Sequence, residues 1–247
     1  MFELETGNLN GLNNHASNIE IVLPELIEAV FVERVNRFVG MVQVAGHICP
    51  AHVPSSGRMR ELLFPGNIVY ISPMPKGRKT QYRIHLAKYD DIMVSVDSLL
   101  PNRLMYKVLS EGAISHFAMY EEVKKEVGYG ESRFDIYLKG EAGRCFIEVK
   151  SVTLVDEGVA KFPDAPSERG SKHLSELTRA VGEGYRSAVI FIIQRDDARS
   201  FSPNSITDPV FSQTLSQAIE AGVEIYALAC DVSLNTVRLK KYIPVQL

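Results

Sequence analysis

Three residues in one short stretch of the chain have the types and spacing that metal-assisted hydrolysis requires. Asp135 is followed 13 residues later by Glu148, and Lys150 comes two residues after that. The acids lie in two strand-like runs, residues 133–138 and 144–149, which a short glycine-containing turn connects. Because alternate residues of a strand share a face, Asp135 lies opposite the apolar side chains of its run, and Glu148 and Lys150 share the polar face of theirs.

Matching the apolar faces across the turn predicts the register of this hairpin. Leu138 opposite Cys145 places Asp135 directly across from Glu148, with Cβ atoms ~4.5–5.5 Å apart, where like charges destabilise a pair. A raised pKa, the lysine or a divalent cation could neutralise the acids, and two carboxylates with waters suit Mg²⁺ or Mn²⁺. We therefore predict that Asp135 and Glu148 are catalytic metal ligands and that Lys150 orients or deprotonates the attacking water. The alternative is an exposed hairpin of mixed charge.

Two further polar residues could assist this site. Glu126 lies just upstream of the first acid and is either a third acidic ligand or a surface glutamate. Gln194 ends an apolar run, residues 188–194, and could orient water or phosphate or simply hydrogen-bond the end of a strand.

The elements around these residues divide the chain into three parts. Residues 1–20 are rich in Asn and predict a poorly ordered tail. Residues 21–89 contain short strand-like runs punctuated by Gly and Pro, which favours a small OB-like β-barrel. Residues 90–247 predict a mixed-sheet α/β domain, with helices after Pro101, over 113–126, from Ser167 to about residue 181 and over 208–221.

The charge distribution is compatible with a polyanion as partner, and the alternative is an ordinary solvated basic surface. The net charge is −3, but residues 31–88 contain nine basic and two acidic residues, which is compatible with one basic face. The predicted DNA contacts of this domain are Arg58, Arg60, Lys76, Arg78, Lys79 and Arg83. Arg169, Lys172 and His173 open a predicted helix, where backbone N–H groups favour phosphate.

The composition and the remaining motifs exclude several classes of protein. The chain is 45% hydrophobic and 23% charged, so it is neither fibrous nor wholly disordered. It has no apolar run near the ~20 residues of a membrane span, and its three separated cysteines predict a cytoplasmic protein. A zinc site at His47, Cys49 and His52 lacks a fourth ligand with suitable spacing.

An aspartate followed by Glu-x-Lys on adjacent strands is similar to the motif of the restriction-endonuclease-like fold. Beyond this motif, the chain resembles the sugar fermentation stimulation protein A family from about Leu23 to the C-terminus. The matching segments include Pro54-Ser-Ser-Gly-Arg-Met59, Leu63-Phe-Pro-Gly66, Leu100-Pro-Asn-Arg-Leu104, Ser132-Arg-Phe-Asp135, Glu148-Val-Lys-Ser-Val-Thr-Leu154 and Arg169-Gly-Ser-Lys-His-Leu174.

The resemblance implies an OB-like domain followed by a restriction-endonuclease-like domain, nonspecific DNA binding and a role in the expression of sugar-utilisation genes. Ser55 stands where the family usually has Asn, which puts a substrate contact there in doubt. We expect a sequence-nonspecific protein for single- or double-stranded DNA with a Mg²⁺- or Mn²⁺-dependent nuclease site. The alternative is a DNA-binding regulator without cleavage, and a protein–protein adaptor has little support. The oligomeric state cannot be inferred from the sequence.

Overall fold

A computed structural model describes residues 11–12 and 16–247 of the chain. Most of the predicted N-terminal tail, residues 1–10 and 13–15, lies outside the described residues. Within the described part of that tail, Ala16 and Ile19 are buried in a hydrophobic core. The first strand, β1 (Glu20–Val22), pairs with the last strand of the chain. The packed structure therefore begins before the predicted boundary at residue 21.

The N-terminal domain is a closed barrel of five strands. Its strands are β2 (Ile27–Asn36), β3 (Val39–Val44), β4 (His47–His52), β5 (Ile68–Pro73) and β6 (Tyr82–Tyr89). Antiparallel pairing joins them in the order β4-β3-β2-β5-β6, and a parallel contact between β4 and β6 closes the barrel. A sixth strand, β7 (Ile92–Ser95), adds to β6, so this sheet extends beyond residue 89, where the sequence predicted its end.

The C-terminal domain is built on a seven-stranded mixed sheet. Its further strands are β8 (Glu122–Tyr129), β9 (Ser132–Gly140), β10 (Gly143–Val152), β13 (Arg186–Ile193), β15 (Glu224–Val232) and β16 (Thr236–Tyr242). Strands β10, β13 and β15 are parallel, and the order across the sheet is β1-β16-β15-β13-β10-β9-β8. A small second sheet contains β11 (Val155–Asp156), β12 (Val159–Phe162) and β14 (Ser200–Pro203).

Helices cover both faces of the large sheet. Helix α1 (Leu100–Ser110), with Pro101 in its first turn, packs Leu104 and Val108 on one face. On the other face lie α2 (Glu168–Gly182) and α3 (Pro209–Glu220). The parallel strands between the two layers are apolar on both sides because neither face meets water.

Side chains cap α2 and α3 at the residues that the sequence indicated. Ser167 Oγ accepts a hydrogen bond from the Gly170 N–H at 3.0 Å. Asp208 Oδ1 accepts one from the Phe211 N–H at 2.9 Å. Each cap satisfies a backbone donor that the helix itself leaves without a partner. The cap on α2 matters for function because this helix presents three of the predicted site residues.

Two local predictions were wrong. Residues 113–126 form a short 3-10 turn followed by strand β8 rather than a helix, because pairing with β9 outweighs their helical propensity. Strand alternation predicts Phe134 and Ile136 on one face, but Phe134 packs in the core on the other side of the sheet. The regular pairing of β9 with β10 ends at Ile136, so the alternation does not continue to Phe134. Among the residues that the structure describes, no helix is both long and apolar enough to cross a membrane.

Candidate active site

Three acids lie side by side across strands β8, β9 and β10. Leu138 pairs with Cys145, which confirms the predicted register as far as the last regular pair, Ile136 with Ile147. Beyond that pair Asp135 lies near Glu148, whose charge acts on it. On the other side of Asp135, the β8–β9 register places Glu126 opposite it. We call these three residues the acid row.

Asp135 occupies the centre of the acid row and is held by two donors. The Val149 backbone N–H donates to its Oδ2 at 2.8 Å. Asn102, at the start of α1, donates its side-chain amide to Oδ1. One carboxylate oxygen is therefore tied to β10 and the other to α1, so both the sheet and the helix orient this residue.

Glu148 is buried, with 4% of its surface exposed. Its Oε1 accepts hydrogen bonds from Lys150 Nζ at 2.8 Å and from His173 Nδ1 of helix α2. Its Oε2 is also buried but has no hydrogen-bond partner among the described residues. The side chain is thus held through one oxygen while the other remains an unsatisfied acceptor.

The pKa values of the two central acids, Asp135 and Glu148, are shifted in opposite directions. Burial, reinforced by the neighbouring Glu148 carboxylate, raises the pKa of Asp135 to about 7. Burial also acts to raise the pKa of Glu148, but Lys150 and His173 outweigh it and lower that pKa below its usual value. Below about pH 7 the pair therefore holds one proton on Asp135 and one negative charge on Glu148.

Glu126 is exposed on the edge strand and has a backbone φ of +54°. Positive φ is unusual for a residue with a Cβ, and such strain often marks functional sites. Its charge contributes to the raised pKa of Asp135, after the effects of burial and Glu148. Glu126 also lines the same cleft as the other two acids, so the structure brings all three predicted acids together.

Both domains form the cleft that contains the acid row. Its volume is about 570 Å³, within the range of sites that hold small ligands or parts of larger ones. The barrel contributes Arg37 and the segment of residues 55–57, and the C-terminal domain contributes the acids and the loop of residues 161–169. Both domains are therefore needed to form the cleft.

The barrel wall of the cleft is fixed by Arg34 and by Asp164. Arg34 donates to the backbone carbonyls of Arg58 at 2.6 Å and Ser55 at 3.2 Å. Asp164 Oδ2, from the C-terminal domain, accepts a hydrogen bond from the Met59 N–H at 3.2 Å. The segment that carries Ser55 is thus anchored from both sides of the domain junction.

Ser55, where the resemblance led us to expect Asn, is buried in this wall. Its hydroxyl accepts a hydrogen bond from the Gly57 N–H at 3.2 Å, which forms a local turn. The serine therefore supports the backbone of the cleft wall through its own oxygen.

Only some of the basic residues predicted to contact DNA are exposed and make no ion pair with described residues. Lys76, Arg78 and Lys79 are exposed in the turn between β5 and β6, and their side chains make no ion pair with described residues; we call these three the basic loop. Arg58 and Arg60 are also exposed. Arg83 instead binds Asp97 at 2.9 Å, where it joins the barrel to the segment before α1.

The three predicted contacts at the start of α2 have different environments. Arg169 is exposed and lines the cleft. Lys172 pairs with Glu131 at 3.1 Å on the surface. His173 is buried and bound to Glu148, so its ring contacts a site carboxylate and is not placed to meet DNA phosphate from solution.

Gln194 lies behind the cleft rather than in its lining. Its side-chain amide donates to Ser151 Oγ at 2.9 Å, and its Oε1 is buried without a partner. Its backbone carbonyl accepts from the Ser95 N–H of the barrel sheet at 3.0 Å. The contacts of Gln194 therefore join β10, β13 and β7.

The raised pKa of Asp135 predicts how pH affects the cation-free protein. Between the ordinary carboxyl pKa of 3.8 and about 7, the folded state keeps a proton that the unfolded state has lost. Raising the pH through this window should therefore lower the free energy of unfolding by a few kcal/mol, at about 1.4 kcal/mol per pKa unit. Denaturant unfolding in EDTA at several pH values measures the loss, which Asp135→Asn should remove. Equal pH dependence of the free energy of unfolding in wild type and Asp135→Asn would contradict a raised pKa at Asp135.

A second prediction concerns Gly57, which lies at the domain junction. A Cβ at this position would lie 2.9 Å from Asp164 Oδ2, so Gly57→Ala should displace that carboxylate from the Met59 N–H. We expect a loss of about 1 kcal/mol in the free energy of unfolding, the size of one hydrogen bond. In an Asp164→Ala background the same substitution should cost almost nothing. An equal cost in both backgrounds would show that Gly57→Ala does not act through Asp164.

Comparison with known proteins places both domains in one family. The family domain described as "SfsA N-terminal OB domain" matches residues 32–96, and that described as "Sugar fermentation stimulation protein RE domain" matches residues 99–236. The chain belongs to the sugar fermentation stimulation protein family. This confirms the family resemblance, and the order of the two matches agrees with the observed barrel and mixed-sheet domain.

Individual members of the SfsA family are similar over nearly the whole chain. The sugar fermentation stimulation protein homolog of Caldanaerobacter subterraneus is 44% identical over 228 residues, covering 92% of this chain and 100% of that protein. The homolog of Alkaliphilus metalliredigens is 47% identical over 212 residues, covering 85% and 91%. The solved structure of Pyrococcus furiosus SfsA in complex with Ca²⁺ has a TM-score of 0.86 and 31% identity, covering 92% and 98%. The predicted two-domain fold is therefore confirmed.

Sequence reasoning missed two residues of this SfsA-family site and misassigned a third. Asn102 lies in a segment that carried the family resemblance, but its contact with Asp135 depends on how α1 packs. Asp164 also lies in a segment that carried the resemblance, Phe162-Pro-Asp164, but its contact with Met59 depends on how the two domains dock. His173 was grouped with basic neighbours along the sequence, although its i, i+4 spacing from Arg169 places both on one side of α2.

Proposed function

We propose that this protein is a divalent-cation-dependent nuclease that hydrolyses DNA phosphodiester bonds without sequence preference. The observation that carries the proposal is the buried, unpartnered Oε2 of Glu148, next to Asp135, whose pKa is raised to about 7. A carboxylate oxygen removed from water is costly unless an opposite charge or donor compensates it. A hard divalent cation supplies that charge and binds oxygen ligands.

The residues present fit Mg²⁺ or Mn²⁺. Asp135 and Glu148 would hold the ion, and Glu126 would contribute negative charge from the edge of the acid row. Among the described residues no group of three or more His, Cys, Asp or Glu side chains is placed to hold a metal ion. This suits Mg²⁺, which commonly keeps several waters and uses only one or two carboxylates.

Lys150 and Asn102 would act beside the ion. When bound, the cation would stabilise negative charge on the phosphate and lower the pKa of a coordinated water. Lys150 Nζ, 2.8 Å from Glu148 Oε1, would orient the attacking water and stabilise the charge that develops on the phosphate. Asn102 would keep the Asp135 carboxylate in place through the bond to Oδ1.

The binding of DNA would depend on cationic groups outside the acid row. The basic loop carries three charges without acidic partners on the barrel, and Arg169 lies at the cleft itself. Such groups bind phosphates whatever the base sequence. The Ca²⁺ named for the Pyrococcus furiosus relative supports a hard-cation site in the family fold.

The alternative is a DNA-binding regulator of sugar-utilisation genes that does not cleave its ligand. It would use the same basic loop, and it would leave the acid row without a role. We favour the nuclease because the acids line the same cleft as Arg169, and they would repel a phosphate there unless a cation neutralises them.

End-labelled single- and double-stranded DNA, with RNA as a third substrate, tests the proposal directly. The purified full chain should cleave DNA with Mg²⁺ or Mn²⁺ and should be inactive in EDTA. Adding Mn²⁺ back after EDTA treatment should restore cleavage. Salt-dependent DNA binding without cleavage under any of these conditions would favour the regulator, and cleavage of RNA alone would overturn the proposed substrate.

A further inference from the structure

His173 is buried next to the acid row although the other two basic residues at the start of α2, Arg169 and Lys172, are exposed. It lies one turn after Arg169 on α2, and only 5% of its surface is accessible. The edge of its ring faces Phe134, with ring centroids 6.2 Å apart. The Ser167 cap fixes the first turn of this helix, so the ring has a defined direction relative to β10.

Hydrogen bonds on both ring nitrogens orient His173. Nδ1 is bonded to Glu148 Oε1, and Arg169 Nε donates to Nε2 at 3.4 Å. Because Nε2 accepts, a neutral ring in this setting carries its proton on Nδ1 and donates it to the glutamate. Arg169, at the cleft, therefore helps to set the tautomer that binds Glu148.

The same glutamate oxygen also receives Lys150. Lys150 Nζ and His173 Nδ1 both bind Oε1, while Oε2 has no partner in the part of the chain that the structure describes. If Lys150 turns towards substrate, His173 is the remaining side chain that holds Glu148. The two donors thus differ in role. Lys150 lies on the same strand as Glu148, whereas His173 holds Glu148 from helix α2.

We propose that His173 is a positioning residue that holds Glu148 by Oε1 and thereby presents Oε2 to the cation. This inference rests on the cation site of the proposed function. In metal sites, a partner that fixes a ligand from behind typically changes affinity 10–100-fold when it is removed. The requirement is specific, because it calls for a donor at the position of Nδ1 rather than for any side chain of suitable size.

Three substitutions separate donation from packing. In His173→Asn the amide nitrogen can take the place of Nδ1, whereas in His173→Gln the longer side chain places it near Nε2. His173→Leu fills similar space and donates nothing. Ser175→Ala is the matched control on the same helix, since its exposed hydroxyl bonds only to the Ser171 carbonyl.

Mn²⁺ binding to the cation-free full chain, measured by calorimetry, is the primary test because it does not depend on catalysis. We expect His173→Leu and His173→Gln to weaken binding by about 10–100-fold. His173→Asn and Ser175→Ala should stay within about threefold of wild type. Thermal unfolding identifies variants that have lost the fold, and the Asn and Gln pair keeps the comparison valid if the Leu variant does not fold.

Two results would overturn the role of His173. One is wild-type Mn²⁺ affinity in His173→Gln, and the other is equal weakening in the Asn and Gln variants when both are folded. Failure of the proposed function looks different. In that case wild type would bind no Mn²⁺, or Asp135→Asn would bind Mn²⁺ as tightly as wild type does. As a second readout, cleavage by His173→Gln should recover towards the wild-type rate when Mn²⁺ is saturating.

Discussion

Asp135→Asn and Glu148→Gln are each expected to abolish cation-dependent DNA cleavage, with rate losses of about a thousandfold or more. The amide preserves the size of the side chain but removes the negative charge on which Mg²⁺ or Mn²⁺ binding depends. Cleavage of end-labelled DNA and Mn²⁺ affinity should fall together. Lys150→Ala should instead retain most of the Mn²⁺ affinity while the rate falls, because its role is with water and phosphate.

Two glutamates on β8 provide graded controls for these substitutions. Glu126→Gln should have a smaller effect than either central variant, about tenfold, because Glu126 lies at the exposed end of the acid row. Glu122→Gln should leave cleavage unchanged, since Glu122 is paired with Lys124 away from the cleft. Full activity in Asp135→Asn would place the nuclease at another site or in a contaminant. DNA affinity in EDTA should survive in all of these variants.

Reversing two charges of the basic loop is expected to weaken DNA binding by about 10–100-fold at 0.1 M salt. Arg78→Glu with Lys79→Glu removes two phosphate contacts and adds two repulsive charges, and the loss should be the same for unrelated sequences. The slope of log affinity against log salt should become shallower by about two, because fewer counterions are released. Fluorescence anisotropy with labelled oligonucleotides over a range of salt measures both quantities.

A second double reversal separates a local contact from net charge. Arg144→Glu with Lys241→Glu makes the same change in total charge on exposed residues of the C-terminal domain. This variant should keep the affinity within about threefold and leave the salt slope unchanged. Equal losses in the two double variants would show that DNA responds to overall charge and not to the basic loop.

The sequence predicted the register of the β9–β10 hairpin because hairpin register depends on neighbouring residues. Leu138 and Cys145 are close along the chain, and a shift of one residue would have moved their side chains to the wrong face. The prediction for residues 113–126 failed because their local pattern permits a helix. Strand β8 forms there only through pairing with β9, which local propensity cannot reveal.

The supporting residues of the site come from elements distant in sequence. Asn102 reaches Asp135 from α1, and His173 reaches Glu148 from α2. Asp164 approaches Met59 across the domain junction. Helix packing angles and domain docking determine these contacts, so residue types and spacing identified the acids but not the groups that hold them.

The pairing of β1 with β16 determines when the large sheet can be completed during synthesis. The barrel is inserted between β1 and the rest of the sheet to which β1 belongs. The barrel segment is continuous and can fold while translation proceeds, as domains generally do. Strand β1 leaves the ribosome before the barrel, but its partner β16 follows the other described strands of the large sheet. Its place in the sheet can therefore be filled only after the barrel has had time to form.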